Sequence, residues 1–209
     1  MKKCVGLLLF FAVLMVQAQS EPGGMALKNL SKVLGLPSEF SAQIEVVTGL
    51  GGEGAMVMNS RMYVGKDAMR YEMDMPGGFG TMTTLALMEG EVTKLYMLSP
   101  KQKVYSKLPD SPRQEYTEEQ IKITDLGTED VDGTACLKKN LTDPTGKVTN
   151  IWLKKSDNTP VKCVLEEKGM QVSMIFKNFK AGSVDPELLK IPADYRLGSA
   201  FGGFLNLNP

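Results

Sequence analysis

LGTEDVDGTACLKKNL (126–141), KVTNIWLKK (147–155), TPVKCVLEE (159–167) and MQVSMIFKNFKAG (170–182) follow one another with short breaks, and IPADY (191–195) closes the run. β-Branched and aromatic residues are frequent in these pieces, and turn chemistry separates them at Val131-Asp132-Gly133 and Asp143-Pro144-Thr145-Gly146. A parallel crossover needs roughly a dozen residues or more, so links this short join antiparallel neighbours. The pieces predict the closing half of one large antiparallel sheet, with Pro160 tolerated as the first residue of its strand.

Working upstream, the same pattern continues. Residues 121–129 predict another strand, and 109–120, with two prolines and the charged segment QEYTEEQ, break the β pattern in favour of one or two helical turns. Strands are expected at 102–107, 91–98 and 81–89, separated by Ser99-Pro100-Lys101 and Gly90. Period-two alternation is clearest at 67–75, where Met69, Tyr71, Met73 and Met75 oppose Ala68, Arg70, Glu72 and Asp74, and at 40–48. A further strand is expected at 55–64. In MALKNLSKVLGL (25–36), Leu27, Leu30, Val33 and Leu34 recur at helical spacing until Gly35 and Pro37 stop them. The fold class is therefore mainly β (α+β): a curved antiparallel sheet or incomplete barrel of about eleven strands, plugged by one or two helices.

The chain of 209 residues carries 24 basic and 24 acidic side chains, a balance that argues against nucleic-acid binding. Lys2 and Lys3, the apolar run 5–16 and the small-residue site Val16-Gln17-Ala18 predict a secretory signal. The run is shorter than the roughly 20 residues that span a bilayer. Cys4 precedes it and is expected to leave with it. The expected organisation is a signal peptide at 1–18, a half-barrel domain at 19–195 and a tail at 196–209, in a monomer that is periplasmic or secreted.

The order of strands, tryptophan, proline-led strand and closing IPADY resembles the LolA-like lipoprotein-carrier superfamily, and within it an uncharacterised family of secreted bacterial proteins. The likeness runs from Leu30 to Tyr195. It implies an incomplete barrel closed by helices, with a hydrophobic cavity that holds acyl chains. It transfers no individual functional residue.

Other signals are weaker. Gly49-Leu50-Gly51-Gly52-Glu53-Gly54 fits G-x-G-x-x-G, but no helical stripe follows it and the strand before it alternates, so it reads as a glycine-rich hairpin. The chain has no histidine, which removes the usual Ser-His and Cys-His pairs, and no catalytic residue, cofactor site or metal site of ordinary type is expected. Asp130 and Asp132 sit at a turn, where aspartate is common for backbone reasons. Cys136 and Cys163 fall on the first and third strands of a meander, too far apart to bridge, and two buried thiols are expected. Trp152 is expected to pack. The tail 196–209 either lacks order or closes the sheet's open edge.

Methionine is the distinctive residue, 14 in all and most of them between Met56 and Met97. Flexible thioethers suit a surface that adapts to lipid tails, and they also fill cores. Met56-x-Met58 and Met73-x-Met75 would in addition suit Cu(I). The expected function is a non-enzymatic binding protein holding a lipid, acyl chain or lipoprotein in a cavity lined by Met69, Tyr71, Met73, Met75, Leu95, Met97, Val172, Met174 and Phe176. The alternatives are an envelope interaction protein with a packed core, and Cu(I) binding.

Overall fold

The computed structural model describes residues 31–49, 56–75, 78, 80–113, 117, 119–167 and 170–199. The expected signal segment, the first half of the expected helix, the glycine motif beyond Gly49 and residues 200–209 lie outside them.

The strands are β1 Phe40–Gly49, β2 Met56–Val64, β3 Ala68–Met75, β4 Gly80–Glu89, β5 Val92–Ser99, β6 Val104–Lys107, β7 Ser111–Pro112, β8 Lys122–Val131, β9 Thr134–Thr142, β10 Val148–Lys154, β11 Pro160–Glu167, β12 Met170–Ala181 and β13 Arg196–Leu197. Eleven of them match the expected strands within a few residues. β7 and β13 are two-residue pairings that periodicity does not reveal. All belong to one sheet of order β13-β6-β5-β4-β3-β2-β1-β12-β11-β10-β9-β8, with β7 set against β5. The sheet curls without closing on itself.

Two antiparallel meanders, β1–β6 and β8–β12, make up this sheet. They join where the first long strand pairs with the last, Ile44 opposite Phe176 and Val46 opposite Met174. A bulge in the register between Ser41 and Gln43 lets the pairing run on to Phe40 opposite Ala181. This is why β12 extends past Phe176, where the sequence pattern ends it. Phe179 stacks on Phe40 there, with centroids 4.9 Å apart.

The end of the expected helix is a complete Schellman motif. Gly35 sits at φ +66°, its N–H donates to the Lys32 carbonyl at 3.2 Å, and the Leu36 N–H donates to the Ser31 carbonyl at 2.8 Å. Glycine is needed at this position because it adopts the left-handed conformation without a Cβ penalty. The turn delivers Val33, Leu34 and Leu36 onto the sheet's apolar face. In the second expected plug, the Gln120 N–H donates to the Thr117 carbonyl at 3.1 Å. Neighbouring Leu108 and Ile121 join the same apolar cluster.

The other face of β3–β6 is covered by the returning C-terminal segment. The 3-10 turn Pro186–Leu189, capped by Asp185, offers the Leu188 carbonyl to Arg70 at 3.4 Å. The absence of a Cβ at Gly65 leaves room for the Leu189 side chain, which such an atom would strike. The chain then reaches Lys103, whose ammonium pairs with Asp194 at 2.7 Å, and β13 adds to β6 in parallel. Residues 196–198 of the expected tail therefore lie on a sheet edge.

The two cysteines are free and buried, on opposite faces of the sheet. Cys163 stands opposite Ile151, whereas Cys136 stands opposite Lys154, which shares the Trp152 side of β10. Burial pushes the Cys163 thiol up to about 12. Trp152 packs on Cys136 and Val164, with the Lys138 and Lys162 ammonium groups 4.8 and 5.0 Å from its ring centroid. The acid pair at the β8–β9 turn serves the backbone: Asp132 at φ +49° and Gly133 at φ +79° form the two-residue hairpin, and Asp130 accepts from the Gly133 N–H at 2.8 Å.

Candidate ligand-binding face

Paired residues of an antiparallel sheet point to the same side, so the register fixes which side chains share a face. Phe40 pairs with Val64, Val64 with Met69, Met69 with Ala86 and Ala86 with Leu95. Tyr71 lies opposite Met62 and Thr84, and Thr84 opposite Met97. Across the seam, Thr48, Val46 and Ile44 lie opposite Val172, Met174 and Phe176. With Met73 and Met75 alternating along β3, the nine residues expected to line a cavity all project from one face, the inner face. Residues from eight strands there, β1–β3, β5 and β9–β12, are in contact within one apolar cluster, which β4 joins through Ala86.

Burial varies along that face, and Thr48, Met58 and Met75 are buried even toward the β1–β2 and β3–β4 connections. Phe40, Met62, Val64 and Met69, toward the β2–β3 turn, are completely buried. At the opposite end, near the β1–β2 and β3–β4 connections, Met56, Met73, Met82 and Val172 are only half-buried. Of the nine expected lining residues, Met69, Met75, Leu95, Met97, Met174 and Phe176 are buried, and Tyr71, Met73 and Val172 remain partly exposed.

The described inner positions of β1–β5 carry no charged side chain. The charges of β2 and β3 lie outside, where Arg70 pairs with Glu72 at 2.7 Å, Glu72 with Arg61 at 2.9 Å, and Arg61 with Asp74 at 3.2 Å. Among the described residues no group of three or more His, Cys, Asp or Glu is placed to hold a metal.

Polar groups on the inner face are few, and the sequence pattern does not single them out. The Tyr71 hydroxyl donates to Ser60 Oγ at 2.9 Å, and Ser60 Oγ donates to the Ile44 carbonyl at 3.0 Å. Burial pushes the Tyr71 phenol above its ordinary value, partly offset by the Ser60 hydrogen bond. Thr48 is also buried here, and its hydroxyl has no hydrogen-bond partner. Alternation from Met56 through Met62 would have added Met56, Met58 and Met62 to the lining. Met82 would have followed from its place opposite Met73.

Chains of similar fold are known. An uncharacterized conserved protein from Thermus thermophilus aligns at a TM-score of 0.54 and 16% identity, over 82% of this chain and 95% of that one. A chain of the Pseudomonas aeruginosa MucA/MucB complex aligns at a TM-score of 0.49 and 15% identity, over 83% of this chain and 62% of that one. The LolA superfamily protein NE2245 from Nitrosomonas europaea aligns at a TM-score of 0.39 and 11% identity, over 73% of this chain and 90% of that one. No curated protein matches the chain in sequence. A family model described as a domain of unknown function, DUF4412, matches residues 50–157, just over half of the chain, from the β1–β2 connection to the β10–β11 turn. The chain belongs to the DUF4412 family.

Proposed function

We propose that this protein is an exported, non-catalytic binding protein whose inner face takes up an apolar chain, such as a lipid or the acyl group of a lipoprotein. The observation that carries the reading is the single apolar face, free of charged side chains at the described inner positions of β1–β5, buried at the Phe40–Met69 end and carrying half-buried methionines at the Met56–Met82 end. On this reading the chain enters from the end of the half-buried methionines. Each buried methylene would contribute on the order of 0.8 kcal/mol, so a 14-carbon chain would gain about 11 kcal/mol before ordering costs. Methionine suits the entrance because its thioether adapts to chains of different shape.

The test is titration of the native protein with N-phenyl-1-naphthylamine, followed by displacement with a long-chain lipid. A saturable fluorescence rise reversed by the lipid is expected. No rise in the native state would point instead to a packed interaction protein that meets its envelope partner through its outer surface.

A second reading is favoured by one pairing: Met73 stands directly opposite Met82, with Met58 and Met75 buried on the same face. Thioethers so placed suit Cu(I). That reading requires stoichiometric Cu(I) uptake, lost in Met73→Leu/Met82→Leu, and fails if the variant binds as much copper as the parent.

A further inference from the structure

We infer that Thr48 is the polar anchor of the inner face and that the ligand is a neutral acyl ester, bound with its tail toward Phe40 and its carbonyl accepting a hydrogen bond from Thr48 Oγ1. This rests on the binding role proposed above. Thr48 lies on β1 between Met56 of β2 and Val172 of β12, both half-buried, at the end where the face opens. It is only 6% exposed, and its hydroxyl oxygen is shielded from water with no partner.

A buried hydroxyl left unpaired is unfavourable, and a valine of the same shape would avoid that cost while suiting the strand better. Two other hydroxyls of the face are satisfied within the protein, Tyr71 on Ser60 and Ser60 on the Ile44 carbonyl. Among the described residues, the only other buried hydroxyl without a partner is that of Thr83. It stands opposite Glu72 and Leu98 on the outer face. Among the described residues, Thr48 is thus the one buried, unused hydroxyl on the inner face, and it sits where the polar end of a chain inserted from the open end would come to rest.

The surroundings select the head group. The inner positions beside Thr48, which are Val46, Met56, Met58, Val172 and Met174, offer no cation to a carboxylate, the lysines of this face lying farther off near β9 and β10, and burying an unpaired charge is far more costly than burying a neutral carbonyl. An ester carbonyl needs only a donor, which Thr48 supplies. A hydrocarbon without a head group would leave the hydroxyl unpaired.

The experiment compares the whole protein with Thr48→Val, measuring displacement of N-phenyl-1-naphthylamine by methyl palmitate, palmitate and hexadecane. The parent is expected to prefer methyl palmitate to the other two. The variant should lose about tenfold in affinity for methyl palmitate, the scale of one neutral hydrogen bond, and nothing for hexadecane. It should also melt at the same temperature or higher, because an unsatisfied hydroxyl has been removed. Unchanged methyl palmitate affinity in the variant would overturn the anchor while leaving the binding role intact. A parent protein that takes up none of the three would overturn both.

Discussion

The triple variant Met56→Ala/Met73→Ala/Met82→Ala will lose about 100-fold in affinity for an acyl ligand while keeping its fold. These three methionines are half-buried at the open end of the inner face, so truncation removes surface that a ligand would cover rather than surface the protein has sealed. Losing roughly one kcal/mol of apolar contact at each position sums to about 3 kcal/mol, and 1.36 kcal/mol corresponds to a factor of ten. The measurement is dye displacement alongside a thermal melt. Truncating Met69 or Met62 instead would confuse the result, because both are completely buried and their loss would open cavities in the protein itself. Undiminished lipid affinity in the folded triple variant would show that the chain does not enter at this end.

The largest stability effect is expected at Phe40. Its ring is completely buried, stacks on Phe179, and lies at the end of the seam where β1 and β12 join the two meanders. Phe40→Ala will cost about 3–5 kcal/mol, a large share of the 5–15 kcal/mol typical of a folded domain. Urea denaturation followed by far-UV circular dichroism measures it. As a control, Val57→Ala on the exposed side of β2 should change stability by less than about 0.5 kcal/mol, since Val57 is 58% exposed. Equal effects at both positions would mean that the seam does not hold the sheet together.

Alternation reveals the sheet because one face is apolar and the other charged: Met69, Tyr71, Met73 and Met75 against Arg70, Glu72 and Asp74 fix the orientation of β3 locally. The same rule puts all nine expected lining residues on one face. The pairing of β1 with β12 is not legible, since strand partners far apart in sequence leave no mark in local periodicity. The cover on the outer face is hidden for the same reason. IPADY reads in sequence as a closing piece of the sheet, yet its segment packs across β3–β6 through Leu188, Asp194 and the room left at Gly65, none of which alternates. The unpaired hydroxyl of Thr48 is invisible in sequence because threonine is an ordinary strand residue, and only the register puts this residue on the apolar side.

The most direct test of the binding role is native mass spectrometry of the expected mature chain from Gln19, purified without detergent, with organic extraction of whatever it carries. A discrete added mass that extracts as an acyl-chain lipid is the predicted result. A bare protein mass, unchanged after incubation with phospholipid or lipopeptide, would contradict it.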